Sequence, residues 1–218
     1  MLSDEDIALR RSGGPGNAIL FSAKYADVLI VPWVFEPSVL FAYLTARTVT
    51  LLIPIALAVL GWKAAPQLAV LALAHNQLPF QAAAARVNLG YLMVCGSMAL
   101  FVLFGGPYVA ANMGISDPVF QEVLLWLVIG QSAPVFFGAT GLLMRTLNRG
   151  VISDLLTGIT AVFFVLCIAI LGASDSMVVA QALAAAQLAH AAICALLLTQ
   201  SGVWPGLTAL FHKQIRIF

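Results

Sequence analysis

Residues 25–52, YADVLIVPWVFEPSVLFAYLTARTVTLL, decide the fold. Two apolar runs meet at a short turn around Glu36 and Pro37, and each carries a charge well inside it, Asp27 in the first and Arg47 in the second. Roughly 20 apolar residues suffice to cross a bilayer as a helix. Ionisable groups at that depth are expensive, and they face a partner helix or a water-filled interior rather than lipid. The stretch therefore reads as a transmembrane helical hairpin with a polar interior.

The rest of the chain agrees with that reading. Hydrophobic residues make up 62% of the 218, charged residues only 9%, and the mean hydropathy is +1.02, which excludes an ordinary soluble domain. The apolar runs lack period-2 alternation, so an all-α polytopic membrane protein is expected rather than a barrel. Six spans are expected in one bundle, near 17–35, 39–62, 89–111, 119–143, 152–172 and 177–199. Residues 1–16 form an N-terminal segment without the apolar core of a signal peptide, 17–200 the bundle, and 201–218 an interfacial tail ending in Lys213 and Arg216. The connection 63–88 is apolar enough to extend the second helix to about His75, with a break near Asn76 to Pro79.

Basic residues alternate between connections. Arg10 and Arg11, Lys63 and Arg86, Arg145 and Arg149, and Lys213 and Arg216 fall on one side, while Glu36, Asp117 and Asp175 fall on the other. The positive-inside rule then puts both termini in the cytoplasm.

Lys24, Asp27 and Arg47 are the candidate cavity residues. At 1.5 Å per residue, Lys24 would lie about 12 Å deep, Asp27 about 16 Å and Arg47 about 12 Å from the opposite face. The triad is net positive and suits an anion, while a purely structural lock between two helices is the competing reading. Gln131 is a further cavity candidate, facing either the interior or another helix. Pro54 and Pro134 are helix-kink candidates, since each removes a donor from its helix. The alanines of the last span, Ala185 and Ala189, offer a small-residue packing face, with His190 as an interhelical hydrogen-bond partner. Cys95, Cys167 and Cys194 are scattered through apolar runs and fit neither a disulfide framework nor a metal site. No hydrolase, nucleotide-binding or metalloprotease motif occurs, so neither an enzyme nor a cofactor is expected. The scattered basic pairs exclude a nucleic-acid surface.

Four stretches in succession resemble a known family. These are residues 25–52, with an Asp-bearing helix turning into a Tyr- and Ala-Arg-bearing one; residues 65–88, APQLAVLALAHNQLPFQAAAARVN; residues 100–114, LFVLFGGPYVAANMG; and residues 124–159, LLWLVIGQSAPVFFGATGLLMRTLNRGVISDLLTGI. Together they are similar to the C-terminal half of the multidrug, oligosaccharidyl-lipid and polysaccharide exporter superfamily, nearest its polysaccharide flippases. The resemblance implies half of a twelve-helix MATE-like fold in a bacterial inner membrane. Its function would be the flipping of lipid-pyrophosphate-linked sugars, with Lys24 and Arg47 matching in type the basic cavity residues used against phosphate. It also implies a second six-helix half or a homodimer, or else a truncated homologue. An ion-coupled antiporter of the same superfamily, or a non-transporting subunit of a polysaccharide synthesis complex, are the alternatives. On this reading Arg47→Ala abolishes export while the protein accumulates normally.

Overall fold

The computed structural model describes residues 25–74, 77–115, 119–171, 175–203 and 205, and among them every regular element is helical. Lys24, most of the expected span 17–35 and the tail beyond Pro205 lie outside the described residues. What is described of the first span is a short helix α1 (Ala26–Ile30) followed by a 3₁₀ turn (Val31–Trp33), where Pro32 fixes the backbone.

The remaining helices are α2 (Pro37–Thr50), α3 (Leu52–Leu73), α4 (Gln77–Asn112), α5 (Phe120–Gln131), α6 (Ala133–Phe137), α7 (Thr140–Thr146), α8 (Gly150–Leu171) and α9 (Ser176–Gln200). Five segments among the described residues are long and apolar enough to cross a membrane: Pro37–Leu73, Leu78–Asn112, Phe120–Phe137, Gly150–Leu171 and Ser176–Gln200.

Two of these far exceed the expected bounds 39–62 and 89–111. At 1.5 Å per residue, the 37 residues of Pro37–Leu73 reach about 55 Å, well beyond an apolar core of about 30 Å. Hydropathy marks where lipid contact ends, not where a helix ends, and both long segments even continue through a proline, Pro66 and Pro107. Exposed Lys63 and Arg86 are no obstacle to continued helix, so the expected connection 63–88 is mostly the ends of α3 and α4 packed along each other.

Two prolines coincide with interruptions. Leu51 separates α2 from α3 three residues before Pro54, and Ser132 separates α5 from α6 two residues before Pro134. In each case the proline supplies no N–H to the carbonyl four residues back. Gly138 then ends α6 at φ 80° and ψ −172°, a backbone region that is practically glycine's alone.

α5 is central, packing against α2, α4 and α9, and its buried Val123, Leu124, Leu127 and Val128 form the middle of the main core. A second apolar cluster joins Leu68, Phe80, Leu143, Met144, Leu198 and Val203 at the end of the bundle where α3, α4, α7 and α9 meet. α9 approaches α5 through Ala184 and Gly130, while Ala185 and Ala189 are exposed, so the expected small-residue face is displaced by one position. Apolar residues also cover the outside. Along α8, Val151, Leu155, Ile159, Val162, Leu166 and Ile170 form an exposed stripe at helical spacing, and only Ser153, Phe164 and Ile168 of that helix are buried within the chain. Such a surface is compatible with lipid contact and unfavourable in water.

Candidate functional site

The structure separates the polar interior into two places. The first is a knot at the start of the chain. Arg47 Nε donates to Asp27 Oδ2 at 2.7 Å, and the Tyr43 hydroxyl donates to the same oxygen at 3.2 Å. α2 brings Tyr43 and Arg47 to one face because they are four residues apart, and α1 sets Asp27 against them. Asp27 is fully buried and Arg47 is 3% exposed. The Arg47 guanidinium also stands 6.0 Å from the ring centroid of Tyr25. The nearby threonines turn inward on their own helix, Thr48 to the Leu44 carbonyl and Thr50 to that of Arg47.

The second place is a cavity of about 400 Å³. One wall is the interrupted run α5–α6–α7, which contributes Gly130, Gln131, Ala133, Pro134, Thr140, Gly141 and Arg145. α8 contributes Thr157, Thr160 and Phe164, α9 contributes Leu183, Gln187 and His190, and Tyr91 of α4 and Pro54 of α3 complete it. Two carboxamides, a phenol and an imidazole therefore share the cavity with one cation, Arg145, and no carboxylate is among its lining residues.

Several of these groups are already held. His190 Nε2 lies 3.3 Å from Thr157 Oγ1 and 3.5 Å from the Ser153 carbonyl oxygen, tying α8 to α9. The Thr157 and Thr160 hydroxyls donate to carbonyls of their own helix. Gln187 fits beside Gly130 because that residue has no side chain: a Cβ there would stand 2.6 Å from Gln187 Oε1 and 2.8 Å from Ala184 Cα. Arg145 is 70% exposed and reaches Asp154 Oδ1 at 3.5 Å, so it marks the cavity's solvent-facing end.

Of the residues expected at a cavity, Gln131 lines it, as do Pro54 and Pro134. Ala26 reaches the wall, while Asp27 and Arg47 are buried in the knot and are not among this cavity's lining residues. The two charges face each other instead, through one bond from Arg47 Nε to Asp27 Oδ2, while Asp27 Oδ1 and Arg47 Nη1 have no partner among the described residues. Lys24 lies outside the described residues. Tyr91 carries no signal in the sequence, Arg145 reads there only as a basic loop residue, and Gln187 only as a polar residue among the alanines of the last span. A shared helical face was the available signal for Gln187 and His190, but apolar neighbours obscure it.

No family model, curated protein or solved structure matches this chain. Among the described residues there is also no group of three or more His, Cys, Asp or Glu side chains arranged to hold a metal ion. The chemistry this geometry supports is binding: neutral hydrogen-bonding groups inside an apolar bundle, with a guanidinium at the rim.

Proposed function

We propose that the chain is a membrane transport protein, equivalent to half of an exporter, that moves a lipid-linked oligosaccharide or polysaccharide precursor across a bacterial inner membrane. One observation carries the reading: a cavity walled by an interrupted membrane helix and lined by Gln131, Gln187, Tyr91, His190 and Arg145. Irregular backbone at membrane depth is tolerated where it lines a cavity, and discontinuous helices are a recurrent way to build transport sites. The carboxamides suit sugar hydroxyls, and Arg145 suits a phosphate.

The same end of the bundle gathers Arg145 and Arg149, with Arg149 Nη1 hydrogen-bonded to Ser201 Oγ and Gln81 Nε2 donating to the Gly202 carbonyl at 2.5 Å. A basic end of this kind favours the cytoplasmic side. A second six-helix half, or a second copy, would supply the opposite wall of a full exporter.

The test is reconstitution into liposomes with a fluorescent polyprenyl-pyrophosphate saccharide, following its movement between leaflets. Gln131→Leu with Gln187→Leu is expected to lower the rate about tenfold or more, because unpaired ligand hydroxyls are costly, while accumulation stays normal. An unchanged rate in that double variant removes the cavity from the transport path.

A further inference from the structure

α6 is only five residues long and is bracketed by the interruption at Ser132 and by Gly138 in its glycine-only conformation. Within α6, Val135 N–H donates to Ser132 O at 2.8 Å and Gly138 N–H to Pro134 O at 2.9 Å. At the far side of the break, Thr140 N–H closes a tight turn onto Gly138 O, and α7 begins from Ala139. The segment is therefore a single helical turn with weak continuity to either neighbour, yet it supplies Ala133 and Pro134 to the cavity and leads directly into Thr140 and Gly141.

A side chain from α4 crosses to this break. Asn88 Oδ1 accepts the Ala139 N–H at 2.9 Å, which satisfies the amide of the residue that caps α7. Asn88 is 4% exposed, and its Nδ2 has no partner among the described residues. A buried amide nitrogen without an acceptor is costly, so this carboxamide holds the break with its oxygen while its nitrogen is left in deficit. Such a half-satisfied anchor stabilises one arrangement weakly and favours any shift of the segment that brings a carbonyl to Nδ2.

We infer that α6 and the start of α7 are a movable section of the cavity wall, and that Asn88 is the positioning residue that latches it. This deepens the transport reading above, on which the use of the motion rests, but the motion itself can be read without transport. Gly141 lines the cavity, and a Cβ built there meets nothing within 4 Å, so Gly141→Cys places a thiol in the cavity without a clash.

The experiment measures labelling of Gly141→Cys by a membrane-impermeant maleimide in vesicles, with the unsubstituted chain and its own three cysteines as background. Adding Asn88→Leu removes the acceptor and is expected to raise the labelling rate about tenfold. Adding Asn88→Asp keeps an acceptor at the same place and is expected to stay within about twofold of Gly141→Cys alone. Equal rates with and without Asn88→Leu, or an equal rise with Asn88→Asp, overturn the latch. If Asn88→Leu does not accumulate, amide hydrogen exchange in the unsubstituted chain decides. Residues 135–141 should exchange about tenfold faster than 123–131, and equal protection overturns the proposal. The expected labelling pattern without any transport of the saccharide lipid would remove the reading in which this chain transports alone or paired with its own copy, and leave the movable wall standing.

Discussion

The knot around Asp27 and the cavity wall around Gln131 use polar groups in opposite ways. In the knot, a carboxylate, a guanidinium and a phenol are buried against one another, with Asp27 Oδ2 accepting from both Arg47 and Tyr43. In the cavity, neutral carboxamides stand against open space, and the one charged group sits at the exposed rim. Charges at membrane depth are conspicuous in a sequence because they cost so much there, and the same cost drives them to pair. That pairing is incomplete, since Asp27 Oδ1 and Arg47 Nη1 have no partner among the described residues, but it holds the two charges on each other, whereas uncharged groups are cheaper to leave open to a ligand. The conspicuous residues thus hold the helices together, and the inconspicuous ones face the cavity.

The largest effect that separates the two regions is expected at Arg47. Arg47→Ala leaves a fully buried carboxylate without its cation, a loss of about 3–5 kcal/mol. The variant should therefore accumulate poorly in membranes and unfold at lower temperature in detergent, in contrast to the normal accumulation expected from sequence. Replacing both partners, Asp27→Leu with Arg47→Met, removes the uncompensated charge and should recover most of that stability. Full stability of the single variant would mean that the pair does not hold the hairpin, and the contrast between the two regions would fail.

A smaller effect is expected where the cavity wall touches α9. Gly130→Ala drives a methyl to 2.8 Å from Ala184 Cα, which is backbone and cannot rotate away, so α5 and α9 must separate at a cost of about 1–3 kcal/mol. It also meets Gln187 Oε1, at 2.6 Å, and turns that carboxamide from its place. Both a fall in melting temperature and a loss of transport are expected. Loss of stability alone would show that the position of Gln187 does not matter to the ligand.

Much of the fold is legible in these residues before any coordinates. Apolar length marks the membrane helices, and Pro54 and Pro134 stand at interruptions, although Pro66 and Pro107 lie within continuous helix, so a proline alone does not fix a break. Helix ends were less legible. α3 runs through GWKAAPQL, Pro66 included, and α4 runs through QAAAARVN, while Lys63 and Arg86 only report where lipid gives way to water. The level and hairpin proximity of Asp27 and Arg47 could be read from spacing alone, but their exclusion from the cavity could not. That placement depends on Asp27 of α1 reaching Tyr43 and Arg47 of α2, a tertiary fact. Gln187 was illegible for the same reason, since only the absence of a side chain at Gly130, on another helix, gives it room.

The smallest stability effect is expected at the rim, and there the comparison becomes sharpest. Arg145 and Asp154 form an ion pair at 3.5 Å, with exposures of 70% and 35%, so water screens both and side-chain ordering offsets much of the attraction. Arg145→Ala should change the unfolding temperature little, corresponding to about 0–1 kcal/mol, where the same change at Arg47 is severe. Its effect on transport should be the reverse, because Arg145 is the cation on the cavity wall. Asp154→Asn removes the ion-pair partner but leaves the guanidinium, so transport should persist or rise as Arg145 is freed for an anionic ligand. Raising the salt concentration should weaken transport by the unsubstituted chain and have less effect on Arg145→Ala, since a screened charge can no longer be lost. Equal salt sensitivity in the two would mean that the rim guanidinium does not meet the ligand, and the division between a structural buried arginine and a working exposed one would collapse.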